Sequence, residues 1–105
     1  MSAYLIVMRE GPTRDAHAFA EYQNRTRQMS GEHKLTPRVV YGQIENLEGS
    51  APDDVVMLEF PSLEEAQAWY NDSQYQEALP HRLKSASYRA FIVGGLSVKG
   101  TAKAV

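Results

Sequence analysis

Glu59 is the residue whose surroundings most clearly suggest chemistry. It interrupts an apolar stretch, and if that stretch is a strand, Glu59 shares one side of it with Val55 and Met57. Burial raises the pKa of a carboxyl group unless a cation or several donors compensate, so Glu59 is a candidate general base or substrate anchor. The alternative is a structural ion pair with an arginine, for which the candidates are Arg38, Arg82 and Arg89.

Arg82 is the second candidate, next to His81 on a predicted helical segment. A guanidinium can hold a carboxylate or phosphate through two parallel hydrogen bonds, so Arg82 could anchor an anion. Its alternative role is to fix its own segment to a backbone carbonyl or to Glu59. His81 could be an acid–base group or a haem ligand, because an imidazole titrates near neutral pH, or it could be a surface residue. We therefore predict Glu59 and Arg82 as the catalytic pair.

Aromatic side chains could supply the walls of a binding site for a flat, apolar ligand. Tyr41, Trp69 and Tyr75, together with His81, form the predicted ligand-binding set. Trp69 and its neighbour Tyr70 are also placed as core residues of a helix would be, and this alternative stays open.

A metal site is not predicted. His17 and Glu21 are four residues apart on one helical face and could bind a metal weakly with a third ligand, but nothing nearby completes the set. His33 lies in a polar loop and receives no role. The sequence also lacks a Gly-rich dinucleotide or phosphate loop, so no cofactor is predicted.

Composition excludes several classes of protein. The chain of 105 residues has no cysteine, which rules out disulfides, thiolate nucleophiles and cysteine metal sites. Eleven Lys and Arg against thirteen Asp and Glu give a net charge of −2 with no basic run, so neither nucleic acid nor a membrane is an expected partner. The apolar run from Ala3 to Met8 is too short for a signal peptide or a membrane span, and the expected compartment is the cytoplasm.

Prolines and glycines divide the chain into the elements that must position these residues. The predicted strands are Tyr4–Met8, Arg38–Leu47, Val55–Phe60 and Tyr88–Val93. The first predicted helix is Thr13–Met29, capped by Thr13 or Asp15, and the second opens at Ser62 with a capping box that includes Glu65. A further short helix starts at Ser73, is broken by Pro80, and resumes from His81 to Ser85.

The order of elements predicts an α+β fold, a ferredoxin-like βαββαβ sandwich with a four-stranded antiparallel sheet. Strands one and three are apolar on both faces, yet two helices cover only one face of such a sheet. We therefore expect a homodimer in which two sheets pack face to face, a dimeric α+β barrel. The predicted domain spans residues 1–96, and residues 97–105 are predicted to be a flexible tail.

The sequence resembles an uncharacterised short-domain family of the dimeric α+β barrel superfamily. The residues that carry the resemblance are Leu47-Glu48-Gly49, Pro52, Val55-Val56, Glu59-Phe60-Pro61-Ser62, Ala66, Trp69-Tyr70, Ser73, Tyr75-Gln76, Arg82 and Ala86. The resemblance implies a ferredoxin-like subunit and a dimer with sheets face to face. It implies no activity, because superfamily members range from cofactor-free monooxygenases and muconolactone isomerase to haem-binding proteins, and their catalytic residues match no motif here.

Three functional hypotheses follow. The first is a cofactor-independent enzyme acting on a small aromatic or oxo-acid metabolite, with Glu59 as base, Arg82 as anion anchor, and Tyr41 and Trp69 as walls. The second is a non-catalytic module that binds or senses such a metabolite in the same cavity. The third is a haem-binding protein, which requires a ligand such as His81 to face the cavity.

Overall fold

The computed structural model describes residues 1–96, and the predicted tail at 97–105 lies outside the described residues. Four strands form one antiparallel sheet in the order β2-β3-β1-β4. The strands are β1 (Ala3–Arg9), β2 (Thr36–Val40), β3 (Asp54–Phe60) and β4 (Tyr88–Gly94). The helices are α1 (Ala16–Arg27), α2 (Leu63–Tyr70) and α3 (Ser73–Ser85). The predicted α+β class, element order and four-stranded antiparallel sheet are confirmed.

The helices cover one face of the sheet, and alternation along the strands separates that face from the other. In β1, Ala3, Leu5 and Val7 are buried, whereas the residues between them are half-buried. The register places Leu5 opposite Leu58 of β3 and Ile92 of β4, so these three share the helix-covered face. The residues between them in each strand form the other face, which no described element covers.

Side chains at the helix starts fix where α1 and α2 begin. The Asp15 carboxylate accepts a hydrogen bond from the Ala18 amide at 2.9 Å, and the Ser62 hydroxyl accepts one from Glu65 at 3.1 Å. Each satisfies an amide that has no partner within its own helix. Both caps agree with the sequence prediction, with Asp15 rather than Thr13 as the cap of α1.

The prediction that Pro80 breaks the third helical segment is wrong. Helix α3 runs without interruption from Ser73 to Ser85 with Pro80 inside it. A proline removes one hydrogen bond of the helix and crowds the preceding turn. The buried face of α3 continues through this position at helical spacing, and its packing against α1 holds the two halves in line. Its buried residues are Tyr75, Ala78, Arg82 and Ser85.

Strand β2 is also corrected, because it occupies Thr36–Val40 and not the predicted Arg38–Leu47. Pro37 lies within β2, at the sheet edge, where a residue without an N–H is tolerated, and a register shift follows between Pro37 and Val39. Tyr41 then has a positive φ of 56°, which directs the chain out of the strand. Residues 41–53 consequently form a long connection with no regular element.

Candidate functional site

A narrow cavity of about 50 Å³ lies between the helix-covered face of the sheet and the helices. Every described element except β2 contributes to its wall, and Tyr41, just after β2, contributes as well. The lining is mainly apolar and aromatic: Leu5, Val7, Phe19, Tyr22, Tyr41, Val56, Leu58, Trp69, Tyr75 and Tyr88, with Arg9, Asp54 and Arg82 as its charged members. An apolar space with a few converging polar groups is the usual form of a ligand site.

Arg82 is the most unusual member of this wall. Its side chain, positioned by α3, is only 3% exposed, and neither Nε nor Nη1 has a hydrogen-bond partner among residues 1–96. Aromatic rings flank the guanidinium, with its Cζ 4.7 Å from the ring centre of Tyr88 and 5.8 Å from that of Tyr22. Cation–π contacts of this kind stabilise the charge but supply no acceptor for the N–H groups of Nε and Nη1. Among residues 1–96, the buried cation therefore lacks the carboxylate that normally accompanies it.

Arg9, the other arginine in the cavity wall, differs from Arg82 because it has a carboxylate partner. Arg9 donates from Nε to Oδ2 of Asp54 at 3.1 Å, and its Nη2 lies 3.0 Å from the same oxygen. This second cation is neutralised within the protein. Arg82 is thus the arginine of the cavity wall whose positive charge has no carboxylate partner among residues 1–96.

Two phenols form a hydrogen-bonded pair in the same wall. The hydroxyl oxygens of Tyr22 and Tyr75 are 3.0 Å apart, and Tyr75 is fully buried. Burial raises the pKa of Tyr22, and the neighbouring Tyr75 raises it further. Burial also raises the pKa of Tyr88. Tyr22 and Tyr88 therefore stay neutral near pH 7, so they can donate a hydrogen bond to a bound anion but do not act as bases.

Glu59 lies on the opposite face of the sheet from this cavity, because it follows the cavity residue Leu58 in β3. Arg38 donates from Nε to Oε1 of Glu59 at 2.7 Å. This hydrogen bond, helped by a second from Ser2, lowers the pKa of the Glu59 carboxyl group. The ion pair with Arg38 is the structural alternative that the sequence left open. Because Glu59 and the Arg82 cavity lie on opposite faces of the sheet, Glu59 does not pair with Arg82.

The predicted aromatic wall residues are brought together, whereas His81 is not with them. Tyr41, Trp69 and Tyr75 all line the Arg82 cavity, and the Trp69 and Tyr75 rings are 4.3 Å apart. Trp69 and Tyr75 also belong to the hydrophobic core, so their core and wall roles coincide. His81 lines a separate surface groove between α1 and α3, which gives the haem hypothesis no ligand at the cavity.

His17 and Glu21 share the surface groove of His81. Within residues 1–96, no three His, Asp or Glu side chains converge closely enough to hold a metal ion. In the same part of the chain, no helix is long and apolar enough to cross a membrane.

Several contributors were not assigned to the site from the sequence. Tyr22 lies in α1 and Tyr88 begins β4, and neither is among the predicted site residues. A hydroxyl group on the buried side of a helix requires a hydrogen-bond partner, and this is the signal that could have identified Tyr22. His33, given no role, pairs through Nε2 with Oδ2 of Asp72 at 2.8 Å and so ties the α1–β2 loop to the cap of α3.

These features define an α+β protein of ferredoxin-like fold with a narrow cavity, in whose wall Arg82 has no carboxylate partner among the described residues. Residues 2–96 match the family model described as "Domain of unknown function (DUF1330)", and the chain belongs to that family. The resemblance to an uncharacterised family is thereby confirmed.

Solved structures of similar fold support the same class. A protein of unknown function from Rhodopseudomonas palustris has 21% sequence identity and a TM-score of 0.65, and the match covers 91% of this chain and 83% of that one. An ethyl tert-butyl ether D (EthD) family protein from Bacillus halodurans has 18% identity and a TM-score of 0.60, with coverage of 91% and 100%. A dimeric protein of unknown function and ferredoxin-like fold from Bacteroides fragilis has 11% identity and a TM-score of 0.57, with coverage of 90% and 96%.

At these identities the likeness establishes the fold alone, and it confirms the ferredoxin-like prediction. No curated protein matches the chain.

Proposed function

We propose that this protein binds a small organic carboxylate, of the aromatic or oxo-acid type, in the cavity around Arg82. The observation that carries the proposal is the buried guanidinium whose Nε and Nη1 have no acceptor among the described residues. Removing a charge from water costs several kcal/mol unless a partner compensates. A ligand carboxylate supplies both the opposite charge and the missing acceptors.

The surrounding side chains favour a planar carboxylate over a bulky anion. The cavity is narrow and mainly aromatic, and the Tyr22 and Tyr75 hydroxyls add hydrogen-bonding groups to its wall. A planar group fits between aromatic rings and can accept bonds from a guanidinium in the same plane. A fully hydrated phosphate would lose more solvation in such a space than these groups can replace.

Binding without chemistry is the function that the geometry supports best. The proposed base Glu59 lies on the other face of the sheet, and the cavity carboxylate of Asp54 is paired with Arg9. The second candidate is a cofactor-independent enzyme, favoured by the Tyr22–Tyr75 pair, which could stabilise developing charge on a ligand oxygen by hydrogen bonding. Mass spectrometry after incubation with each bound acid distinguishes the two, since an enzyme returns a different compound.

We further propose that the protein is a homodimer built on the uncovered sheet face. That face presents a set of apolar side chains, with Phe91 41% and Val93 44% exposed. Its other apolar residues are Tyr4, Ile6, Met8, Val55 and Met57. An apolar surface of this extent on a small protein marks an interface. Dimerisation through this face leaves the Arg82 cavity open on the other side of each sheet.

We also propose a cytoplasmic location, which the cysteine-free composition favours.

Matched pairs of acids and amides test the binding proposal. Benzoate and pyruvate are each compared with benzamide and pyruvamide by thermal unfolding of the full chain, with ligand in large excess. A ligand that binds only the folded state at a hundredfold excess over Kd adds about 2.7 kcal/mol of stability, which for a domain of this size is a rise in Tm of roughly 10 °C or more. We expect a rise with the acids and not with the amides. Equal effects of acid and amide, or no effect of any acid, would overturn the proposal.

A further inference from the structure

A second, wider space adjoins the Arg82 cavity on the helix-covered side of the sheet. It is a groove of about 430 Å³ between α1 and the edge strand β2, here called the edge groove. Its lining residues are Tyr22, Gln23, Thr26, Arg27, Val40, Tyr41, Val56, Leu58 and Trp69. The Arg82 cavity alone is too small for most metabolites, whereas the edge groove has the size of an ordinary ligand site.

The two spaces adjoin each other. The five residues that line both are Tyr22, Tyr41, Val56, Leu58 and Trp69. A ligand that spans both spaces would therefore pass between these side chains to reach the guanidinium of Arg82. Tyr41, which is 44% exposed and has a positive φ, stands at the junction with its ring 6.4 Å from that of Phe19.

The chemistry of the edge groove differs from that of the cavity. Its floor is formed by apolar side chains, Val40, Val56 and Leu58, with Trp69. Two of its polar rim groups are already engaged, since Thr26 Oγ1 and Arg27 Nε both donate to the Gln23 carbonyl, at 3.0 and 3.3 Å. The floor of the groove thus presents apolar area, with polar side chains among its other lining residues.

We infer that the ligand is an amphipathic carboxylate, with its head at Arg82 and an apolar or aromatic body in the edge groove. This inference rests on the proposed function and adds the part of the ligand that the small cavity cannot hold. The body buries the apolar floor of the groove, while the carboxylate completes the hydrogen bonding of the buried cation. A polar acid of two or three carbons fills only the inner space.

A homologous series of straight-chain carboxylates, acetate, butyrate, hexanoate and octanoate, tests this inference by calorimetric titration of the full chain, with the matching alcohols as controls. Each buried methylene contributes about 0.8 kcal/mol, which corresponds to nearly fourfold in Kd. We expect the acids to tighten by about threefold to fourfold per methylene until the groove is filled, and the alcohols to bind far more weakly. Acids that bind equally at every length would overturn the inference but leave the proposed function standing. If no acid of any length binds, the proposed function itself fails.

Two substitutions test whether the gain in affinity per methylene arises in the edge groove. Val40→Asp places a carboxylate in the edge groove at a position that is 55% exposed, so folding should tolerate it. Leu47→Asp makes a comparable change at an 84% exposed position that does not line the groove. We expect Val40→Asp to abolish the gain per methylene and Leu47→Asp to retain it. The inference is wrong if Val40→Asp keeps the gain, or if it changes the oligomeric state instead, because the groove would then be an interface between copies.

Discussion

At the scale of single residues, the account depends on the difference between two arginines in one cavity. Arg9 is paired with Asp54 at 3.0 Å, while Arg82 is more deeply buried and has only aromatic faces beside it. Packing alone does not explain this arrangement, since a methionine would fill the same space without the cost of an unpaired charge. This cost is the reason for our proposal that Arg82 binds a ligand.

Residue types alone could not separate the roles of Glu59 and Arg82. The sequence showed that Glu59 interrupts an apolar strand, but the residue that neutralises it, Arg38, comes from a different strand across a register shift. Period-two alternation placed Glu59 and Leu58 on opposite sides of the strand, but it did not indicate which side the helices cover. The position of Arg82 could not be predicted from a local pattern of this kind, because it depends on the continuity of α3.

At the scale of elements, helix α3 decides whether Arg82 reaches the cavity. Tyr75, Ala78, Arg82 and Ser85 form its buried face, and Pro80 lies between the two halves of this face. Had the helix ended at Pro80, as its sequence suggests, Arg82 would lie on a separate segment with a different orientation. Tertiary packing against α1 therefore overrides the local preference, which is the kind of effect that sequence patterns do not contain.

Replacing Pro80 by alanine tests this view of α3. Proline inside a helix is about 3 kcal/mol less favourable than alanine, and part of this difference is offset because proline restricts the unfolded chain. We expect Pro80→Ala to raise the free energy of unfolding by roughly 2 kcal/mol, measured by urea denaturation. Pro12→Ala, in the exposed connection before α1, serves as the control and should change stability little. A marked loss of stability in Pro80→Ala would show that the proline itself shapes the helix around Arg82.

Elements with a strong local signal were predictable, and those defined by the sheet edge were not. The cap residues Asp15 and Ser62 and the apolar strands β1 and β3 were found because each carries its signal in a few adjacent residues. Strand β2 was misplaced because its pairing with β3 recruits Pro37, and because the positive φ of Tyr41 ends it early.

At the scale of the whole molecule, the two faces of the sheet differ in what covers them. The face under the helices carries the core and the Arg82 cavity, and the other face carries apolar side chains that no described element covers. Face-to-face packing of two sheets would bury this second face. The Glu59–Arg38 pair lies on that face, so we expect it to help set how the two sheets meet.

Sedimentation equilibrium at micromolar concentration tests the dimer. Met57 lies in β3, opposite Ile6 of the central strand β1, on the uncovered face, so Met57→Lys introduces a charge into the proposed interface. We expect the wild-type chain to sediment as a dimer and Met57→Lys to sediment as a folded monomer. Leu47→Lys, at an 84% exposed loop position, should remain dimeric. A monomeric wild type would contradict the proposal.

The central claim is that Arg82 is buried in order to bind a carboxylate and not to hold the fold together. Its most direct test is the free energy of unfolding of Arg82→Met, measured with and without saturating hexanoate, beside Arg25→Met, whose arginine is 43% exposed on α1. Without ligand, we expect Arg82→Met to be as stable as the wild type or up to about 2 kcal/mol more stable. Hexanoate should stabilise the wild type and Arg25→Met but not Arg82→Met. A loss of more than about 3 kcal/mol in Arg82→Met, or full stabilisation of that variant by hexanoate, would contradict the account.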